Sequence, residues 1–492
     1  MTDTFVRAAL IGTARDANAA RATGTAVDAL FGQDDSFLLR AGARDLYVRA
    51  GLRPQRRNDA IDAAPAETLR RPSAALTDVL TETIAENDAE LLHVMAESLR
   101  EAHVHLPHAL LPNILGTRDK QLRIALAPIL GERGRWLAQR NSAWSWAFET
   151  TAASDAATQW EEGNEQQQLD ALRAMRVSDP AAAREQLAAR LPKEKADTRA
   201  AMLMALLPTL SLSDESLLER ALDDRSAAVK AVAADLLARL PASAFVQRMQ
   251  ARLEPAVRIE RKFLVQRVLA ADPPAELDAV ATRDIIPSRT PHGTGTRAYA
   301  LTQIVGAVPL SFWSRFELTP QQLLDAASKG DWDEPLVSGW ILAAARQRDA
   351  AWAHALLTVA ARPEEIVELA RALPSEELMR LIAAVPEGRH DWPLASILPL
   401  LPRPWPRAFA HDWLQRLRRA AARPDDGSDA FLLSSTLHIT ARAIPPELFA
   451  EASEEWTFAA EGWHIRHEWE RRLRRFHHII RIRRTVAEET KA

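Results

Sequence analysis

The residues best suited to chemistry in this chain are its histidines, and the densest group is "HVHLPH", with His103, His105 and His108 preceded by His93. Imidazole binds zinc, but a His-x-His step followed by Leu-Pro lacks the i, i+4 helical spacing of zinc peptidases, and the sequence places no obvious acidic ligand beside it. A helix end, where histidine suits the negative pole of the dipole, accounts for the group without an ion. A second stretch, "WHIRHEW" at 463–469, runs His464, His467, Glu468, whereas the inverted zinc motif needs His-x-x-Glu-His. "PHGTGTR" at 291–297 has two glycines but neither a third nor a preceding strand, so a loop explains it better than a nucleotide fingerprint. The chain also lacks a G-x-x-x-x-G-K-[ST] loop and a G-x-S-x-G elbow. These readings assign no catalytic, cofactor-binding or metal-binding residue, and they point away from an enzyme.

The most polarised segment is "WHIRHEWERRLRRFHHIIRIRR" near the end of the chain. Ile465, Trp469, Leu473, Phe476 and Ile480 form an apolar stripe at helical spacing. Arg466, Arg471, Arg472, Arg474, Arg475, Arg481, Arg483 and Arg484 are opposed only by Glu468 and Glu470, so these arginines are the candidates for holding a polyanion or an acidic partner. A charged face on a helix that caps a stack is the plainer reading of the same pattern. Trp136, Trp144, Trp146 and Trp160 could form an aromatic binding surface, but filling space between helices is the commoner use of such wide side chains.

Few strands are expected to position these residues. Across 492 residues the composition is globular, with 47% hydrophobic and 26% charged residues, and no apolar run is long enough to cross a bilayer. The opening "MTDTFVRAALIGTAR" has neither the basic leader nor the apolar segment of a secretory signal, and the chain has no cysteine, so a cytoplasmic protein is expected. A net charge of −4 argues against a generic polyanion binder. Lysine supplies seven of the 62 basic residues, and the remaining 55 arginines, spread along the chain, read as the bias of a GC-rich genome.

Glycine is scarce, proline ends many apolar periodic stretches, and alternating strand patterns are missing, so the fold class read from the sequence is all-α. "LDDRSAAVKAVAADLLARLP" at 222–241 shows the unit: Val229, Ala233, Leu236 and Leu237 share a face, Asp223 and Asp224 precede the helix, Ser226 is the candidate N-cap and Pro241 closes it. Helices are expected near 165–176, 180–190, 197–209, 214–222, 226–240 and 243–253, pairing into hairpins of about 30 residues, shorter than the usual HEAT unit of about 40 to 47. The expected organisation is an N-terminal helical segment with an exposed connection (1–72), HEAT-like repeats of a solenoid (73–271), a linker or long loop (272–297) and a C-terminal helical section ending in the basic helix (298–492).

"VRAALIGTAR", "ILGERGRWLA" at 129–138, "ALDDRSAAVKAVAADLLARLPASAFVQRM" at 221–249, "QIVGAVPLSFW" at 303–313 and "SGWILAAARQRDAAWAHALL" at 338–357 resemble the pattern of an uncharacterised bacterial family of unknown function. The resemblance supplies no catalytic residue and no cofactor. It implies genes beside a MoxR-type AAA+ ATPase, a von Willebrand factor A protein and a SWIM zinc-finger protein, and hence a place in a chaperone-like ATPase assembly. The functional expectation is a non-enzymatic, cytoplasmic scaffold for protein partners, with the ATPase or the von Willebrand factor A protein as the partner. The alternatives are a nucleic-acid binder or glycosylase-like protein using the basic helix, and a metal-dependent hydrolase built on the histidines at 103–108.

Overall fold

Short amphipathic helices stopped by proline are what this sequence specifies, and helices dominate the computed structural model. It describes the chain except for residues 1–4, 6–11, 14–17, 19–20, 33–35, 52–61, 148–153, 263–265, 387–391, 423–432, 458–462 and 492. Two units result, residues 1–64 and residues 65–492. In the first, helix α1 (Phe37–Gly51) follows a 3-10 turn at Ala26–Leu30, where Asp28 accepts hydrogen bonds from the hydroxyl and backbone N–H of Thr23 at 2.6 and 2.8 Å.

The second unit opens with α2 (Ala74–Ala85) and α3 (Ala89–Glu101). Each starts at a capping side chain, Ser73 accepting from the Leu76 N–H at 3.1 Å and Asp88 from the Leu91 N–H at 2.9 Å. After α4 (Gly131–Ala138) come α5 (Glu165–Ser178), α6 (Pro180–Arg190), α7 (Ala196–Met204), α8 (Glu215–Ala221), α9 (Ala227–Ala238) and α10 (Ala244–Leu253). Neighbours pack in a chain: α5 on α6 and α7, α7 and α8 on α9, and α9 on α10. The helix expected over 197–209 stops at Met204 and resumes as a 3-10 turn at Leu207–Thr209, because Pro208 has no N–H to continue the α ladder. Val229, Ala233, Leu236 and Leu237 of α9 are buried as their spacing requires. Ser226 stands at the N-cap of α9, but its side chain makes no capping bond, and its own N–H donates to Asp224 Oδ1 at 2.7 Å.

One hairpin corrects the all-α expectation. Strands β1 (Val257–Lys262) and β2 (Gln266–Ala271) pair antiparallel, with Val257 opposite Ala271 and Ile259 opposite Leu269. Val257 and Ile259 do alternate with Arg258 and Glu260, but the run is too short and too charged to stand out from helical sequence. Within 272–297, read from composition as a linker or loop, the chain forms helix α11 (Ala279–Ile285), capped by Asp278 on the Ala281 N–H at 2.7 Å.

Beyond it, α12 (Thr296–Ala307) lies against α13 (Asp333–Gln347) at a very close approach. A Cβ on Gly339 would stand 2.6 Å from the Val305 side chain, so only glycine lets the two helices meet there. Trp340 of α13 is fully buried between Trp313 and Trp352 of α14 (Ala350–Leu356), with ring centroids 5.0 and 5.3 Å apart. The chain ends with α15 (Leu437–Ala443) and α16 (Trp463–Lys491), and α16 packs on α15 and also on α2 and α3. The last helix of this unit therefore rests on the first two.

Buried charge fixes how neighbouring helices sit. Asp214, just before α8, is fully buried and accepts from both terminal nitrogens of Arg176 on α5 at 2.9 and 2.8 Å, and from Arg184 of α6 at 2.8 Å. Arg176 gives its other N–H groups to the Pro180 carbonyl and to the hydroxyl and carbonyl of Thr209. All five guanidinium donors are used, which is the condition under which a buried arginine is tolerated. Asp284 of α11 is held in the same way by Arg248 and Arg252 of α10, each at 2.9 Å.

Replacing Asp214 by alanine strands the Arg176 charge and should cost about 3 to 5 kcal/mol. The double exchange Arg176→Met with Asp214→Leu should recover most of that loss, as read from urea midpoints. Burial alone would push Asp214 and Asp284 upward, but their arginines hold both carboxyls below the ordinary value of 3.8. Their contribution is therefore present above pH ~4 and lost as pH falls through the depressed folded values. The thermal midpoint should drop on acidification below pH ~4, and less steeply for Asp214→Asn than for the parent chain.

Candidate functional site

Helices α6, α7, α8 and α9 enclose a groove of about 490 Å3. Its apolar lining includes Leu191, Leu203, Leu217 and Val229, and Arg199, Arg220, Asp224 and Arg225 supply the charge. Arg199 is a fixed wall. It donates to both oxygens of Asp224 at 2.8 and 2.7 Å and to the Glu194 carbonyl at 2.7 Å. Burial would raise Asp224, but the Arg199 bonds, the Ser226 N–H and the nearby charge of Arg225 hold it below the ordinary carboxylate range. Arg220 and Arg225 differ in kind: both are exposed, and neither makes a hydrogen bond or ion pair from its side chain among the described residues. Two available guanidinium groups beside an apolar trough fit an anionic group carried on an apolar body, such as a carboxylate of a peptide.

This groove lies on the stretch that looked most like ordinary scaffold. Asp224, Arg225 and Val229 come from "LDDRSAAVK", where the acids are accounted for by a helix start. Their partners are more specific than that: Asp224 holds Arg199, and Asp223 takes two bonds from Arg283 at 2.7 and 3.1 Å. No local signal marks either pair, since the arginines lie 25 and 60 residues away.

The basic helix α16 turns part of its charge inward. Trp469, Leu473, Phe476 and Ile480 are buried, as their spacing requires, while the Ile465 side chain lies outside the described residues. Arg475 bonds to Glu86 and Asp88, and Arg481 bonds to Glu82 at 2.6 Å, all three acids belonging to α2 and the turn before α3. Arg471 and Arg472 share Glu468, Arg472 also reaches the Ser434 hydroxyl, and Arg484 lies 3.7 Å from Glu488. Arg483 donates to the Ala441 and Ile444 carbonyls at 2.7 and 2.9 Å, and burial beside the Arg403 charge pushes its guanidinium down to about 10. Arg466 and Arg474 are exposed and have no ion pair among the described residues. Asp88 ties this seam together, because Arg442 of α15 also donates to both of its oxygens, at 3.0 and 2.8 Å.

The aromatic and histidine groups fall as follows. Trp146 and Trp160 are buried, the former donating to the Leu115 carbonyl at 3.0 Å, and Trp136 and Trp144 are half-buried. His103 ends α3 in a left-handed conformation at φ 53°. His105 and His108 stack at 4.8 Å, and the acid that the sequence did not place beside them is Glu67, whose Oε2 lies 3.7 Å from His108 Nε2. Among the described residues, two groups have metal-ligating donors within 4.8 Å of one another: Glu67, His105 and His108, and Glu82, Glu86 and His478 of the α16 seam. No helix among the described residues is long and apolar enough to cross a membrane.

The profile of DUF5691, a family of unknown function, matches residues 4–490. The chain belongs to that family. No curated protein and no solved structure matches it. The match covers the groove, the α16 seam and the histidine group alike, and it attaches no activity to any of them.

Asp88 is nearly buried and holds two arginines, so Asp88→Ala should loosen α16 from α2 and α3 by about 3 kcal/mol. Hydrogen exchange in 466–488 should quicken on the order of 100-fold while α9 and α10 keep their protection. Unchanged exchange in α16 would show that the apolar stripe alone holds the seam.

Proposed function

We propose that this chain is a non-enzymatic, HEAT-like helical scaffold that binds a protein partner, with the groove between α6 and α9 as the contact for a carboxylate-bearing segment. The observation that carries the reading is the contrast within one cleft: Arg199 is bound to Asp224, whereas Arg220 and Arg225 stand open over Leu203, Leu217 and Val229. An arginine without a carboxylate at an apolar groove has its fork available for a ligand. The partner proposed is the MoxR-type AAA+ ATPase or the von Willebrand factor A protein that the family resemblance implies, met in the cytoplasm. Stacked helix pairs suit such a role because they present a long continuous surface.

Nucleic acid on the basic helix is the second reading, favoured by the exposure of Arg466, Arg471 and Arg474. Against it stand the acids Glu82, Glu86 and Asp88, which bind Arg475 and Arg481 and place negative charge along the same seam. A DNA contact there would compete with these internal pairs.

Both readings are tested with the full chain. The Arg220→Glu, Arg225→Glu double variant should bind the purified ATPase or von Willebrand factor A protein at least tenfold more weakly in calorimetry, with an unchanged melting midpoint because both side chains are exposed. Absence of binding to either protein in 50 mM salt, or binding indifferent to the double variant, would defeat the groove assignment. Retention of duplex DNA at low salt, lost on Arg466→Glu with Arg474→Glu, would favour the nucleic-acid reading instead.

A further inference from the structure

The geometry points to a divalent-metal site of the zinc type, ligated by Glu67, His105 and His108 and completed by a water. Three segments distant in sequence converge on it, and their backbones are cross-tied. The Arg70 N–H donates to the His103 carbonyl at 2.8 Å, the His105 N–H to the Arg70 carbonyl at 3.0 Å, and the Leu106 N–H to the Ile129 carbonyl at 2.8 Å. The ligands are therefore mounted on fixed main chain, which is what a preorganised site requires.

The tautomer of His105 is readable from its surroundings. Its Nδ1 lies 2.7 Å from the Leu106 carbonyl, which can only accept, so Nδ1 carries the proton and Nε2 keeps its lone pair. A ring N–H fixed on a backbone carbonyl is the usual support of a metal-bound histidine. His105 is itself 4% exposed, so that lone pair belongs to a buried, immobile ring.

Glu67 is equally prepared. Its Oε1 accepts the Glu132 N–H at 3.0 Å at the start of α4, while its Oε2 is buried and accepts no hydrogen bond. Room for it depends on Gly131, at φ 68°, where a Cβ would stand 2.6 Å from Oε2. The nearest donor to this oxygen, His108 Nε2, stands 3.7 Å away, too far for a good hydrogen bond, and a buried carboxylate oxygen left so is costly; a cation between it and the two imidazoles removes that cost.

Distances are close to those of a bound state. Donor atoms of the three residues lie within 4.8 Å of one another, and bonds of about 2.0 to 2.2 Å in a tetrahedral zinc site would bring them to roughly 3.4 Å. Closing that gap takes side-chain movement of about an ångström. Two imidazoles and one carboxylate, with no sulfur, favour zinc over calcium or magnesium, and a three-ligand set leaves the fourth position to water. Arg133 opposes the ion. Its terminal nitrogen lies 3.4 Å from His108 Nδ1, a contact that must open when His108 Nε2 binds metal and Nδ1 takes the proton, and Arg133 is exposed and has space to move.

The experiment is a zinc titration of the chelator-stripped full chain against a chromophoric competitor at pH 7.5. One equivalent should bind with micromolar or tighter affinity and raise the melting midpoint, magnesium should do neither, and Arg133→Ala should bind more tightly. His108→Ala and Glu67→Gln should each weaken zinc at least tenfold, whereas His103→Ala should not. His108 is 38% exposed, so its removal should spare the fold, and His108→Gln serves should the alanine variant fail to fold. No stoichiometric uptake overturns the inference, as does uptake unaffected at His108 and Glu67, which would place the ion elsewhere, for example on Glu82, Glu86 and His478. None of these outcomes bears on the groove.

Discussion

The guanidinium of Arg176, with five N–H groups spent on Asp214, Thr209 and Pro180, is the interaction on which the arrangement of the middle helices depends. Helices of 7 to 14 residues, such as α8 and α5, are too short to persist alone, and apolar burial against neighbours supplies their stability. Burial does not choose between one register and the next. A fork that must meet a carboxylate, a hydroxyl and two carbonyls at once does, because any slide leaves a buried donor unpaired. The device recurs where Asp284 meets Arg248 and Arg252, and where Asp235 of α9 meets Arg239 and, across to α13, Arg346. Arginine can do this and lysine cannot, since only the planar fork reaches several acceptors in fixed directions. The arginine-rich composition thus has a structural use beyond any bias of the genome.

Much of the fold was legible because it rests on local rules. Leucine and valine spacing located the faces of α5 to α10, and Pro192, Pro208 and Pro241 located the ends of α6, α7 and α9 to within a few residues. What failed has local causes too. The hairpin at 257–271 was hidden because Arg258, Glu260 and Arg261 dilute a short alternation, and α11 was hidden inside a stretch rich in proline and glycine. Ser226 has the right type and place for a cap, yet Asp224 takes over the start of α9 by accepting its N–H. Such competition between two capping side chains is decided by backbone geometry that residue type does not encode.

The candidate sites were less legible because each is assembled from residues far apart. Glu67 reaches His105 and His108 only through the parallel bridge between Arg70 and Val104 and the turn at Gly131. A search for ligands at motif spacing passes over such a group. The arginines of α16 were visible as a charge block, but Glu82, Glu86 and Asp88 stand nearly four hundred residues earlier, so the block looked more available than it is. The groove had the opposite fate, since its residues read as an ordinary helical unit and acquired interest only when α6 and α7 were laid beside them.

In an arginine-rich helical chain, charge density along the sequence is therefore a poor guide to which guanidinium groups are left available. The better measure is which guanidinium groups lack an internal carboxylate. By that measure the densest block, α16, spends Arg475 and Arg481 on the acids of α2 and α3, and Arg483 on backbone carbonyls. The sparser end of α8 and the turn after it leave Arg220 and Arg225 without a hydrogen-bonded carboxylate beside apolar surface, while Arg199 bonds to Asp224 in the wall behind them. An arginine on an open helix face, such as Arg466 or Arg474, acts on a ligand only through the high dielectric of water. Beside a trough of leucine and valine a guanidinium faces lower dielectric, where its attraction for an incoming carboxylate is stronger than on an open helix face. The distinction between the two places lies in the apolar surface next to the charge, and that surface exists only once four helices have packed.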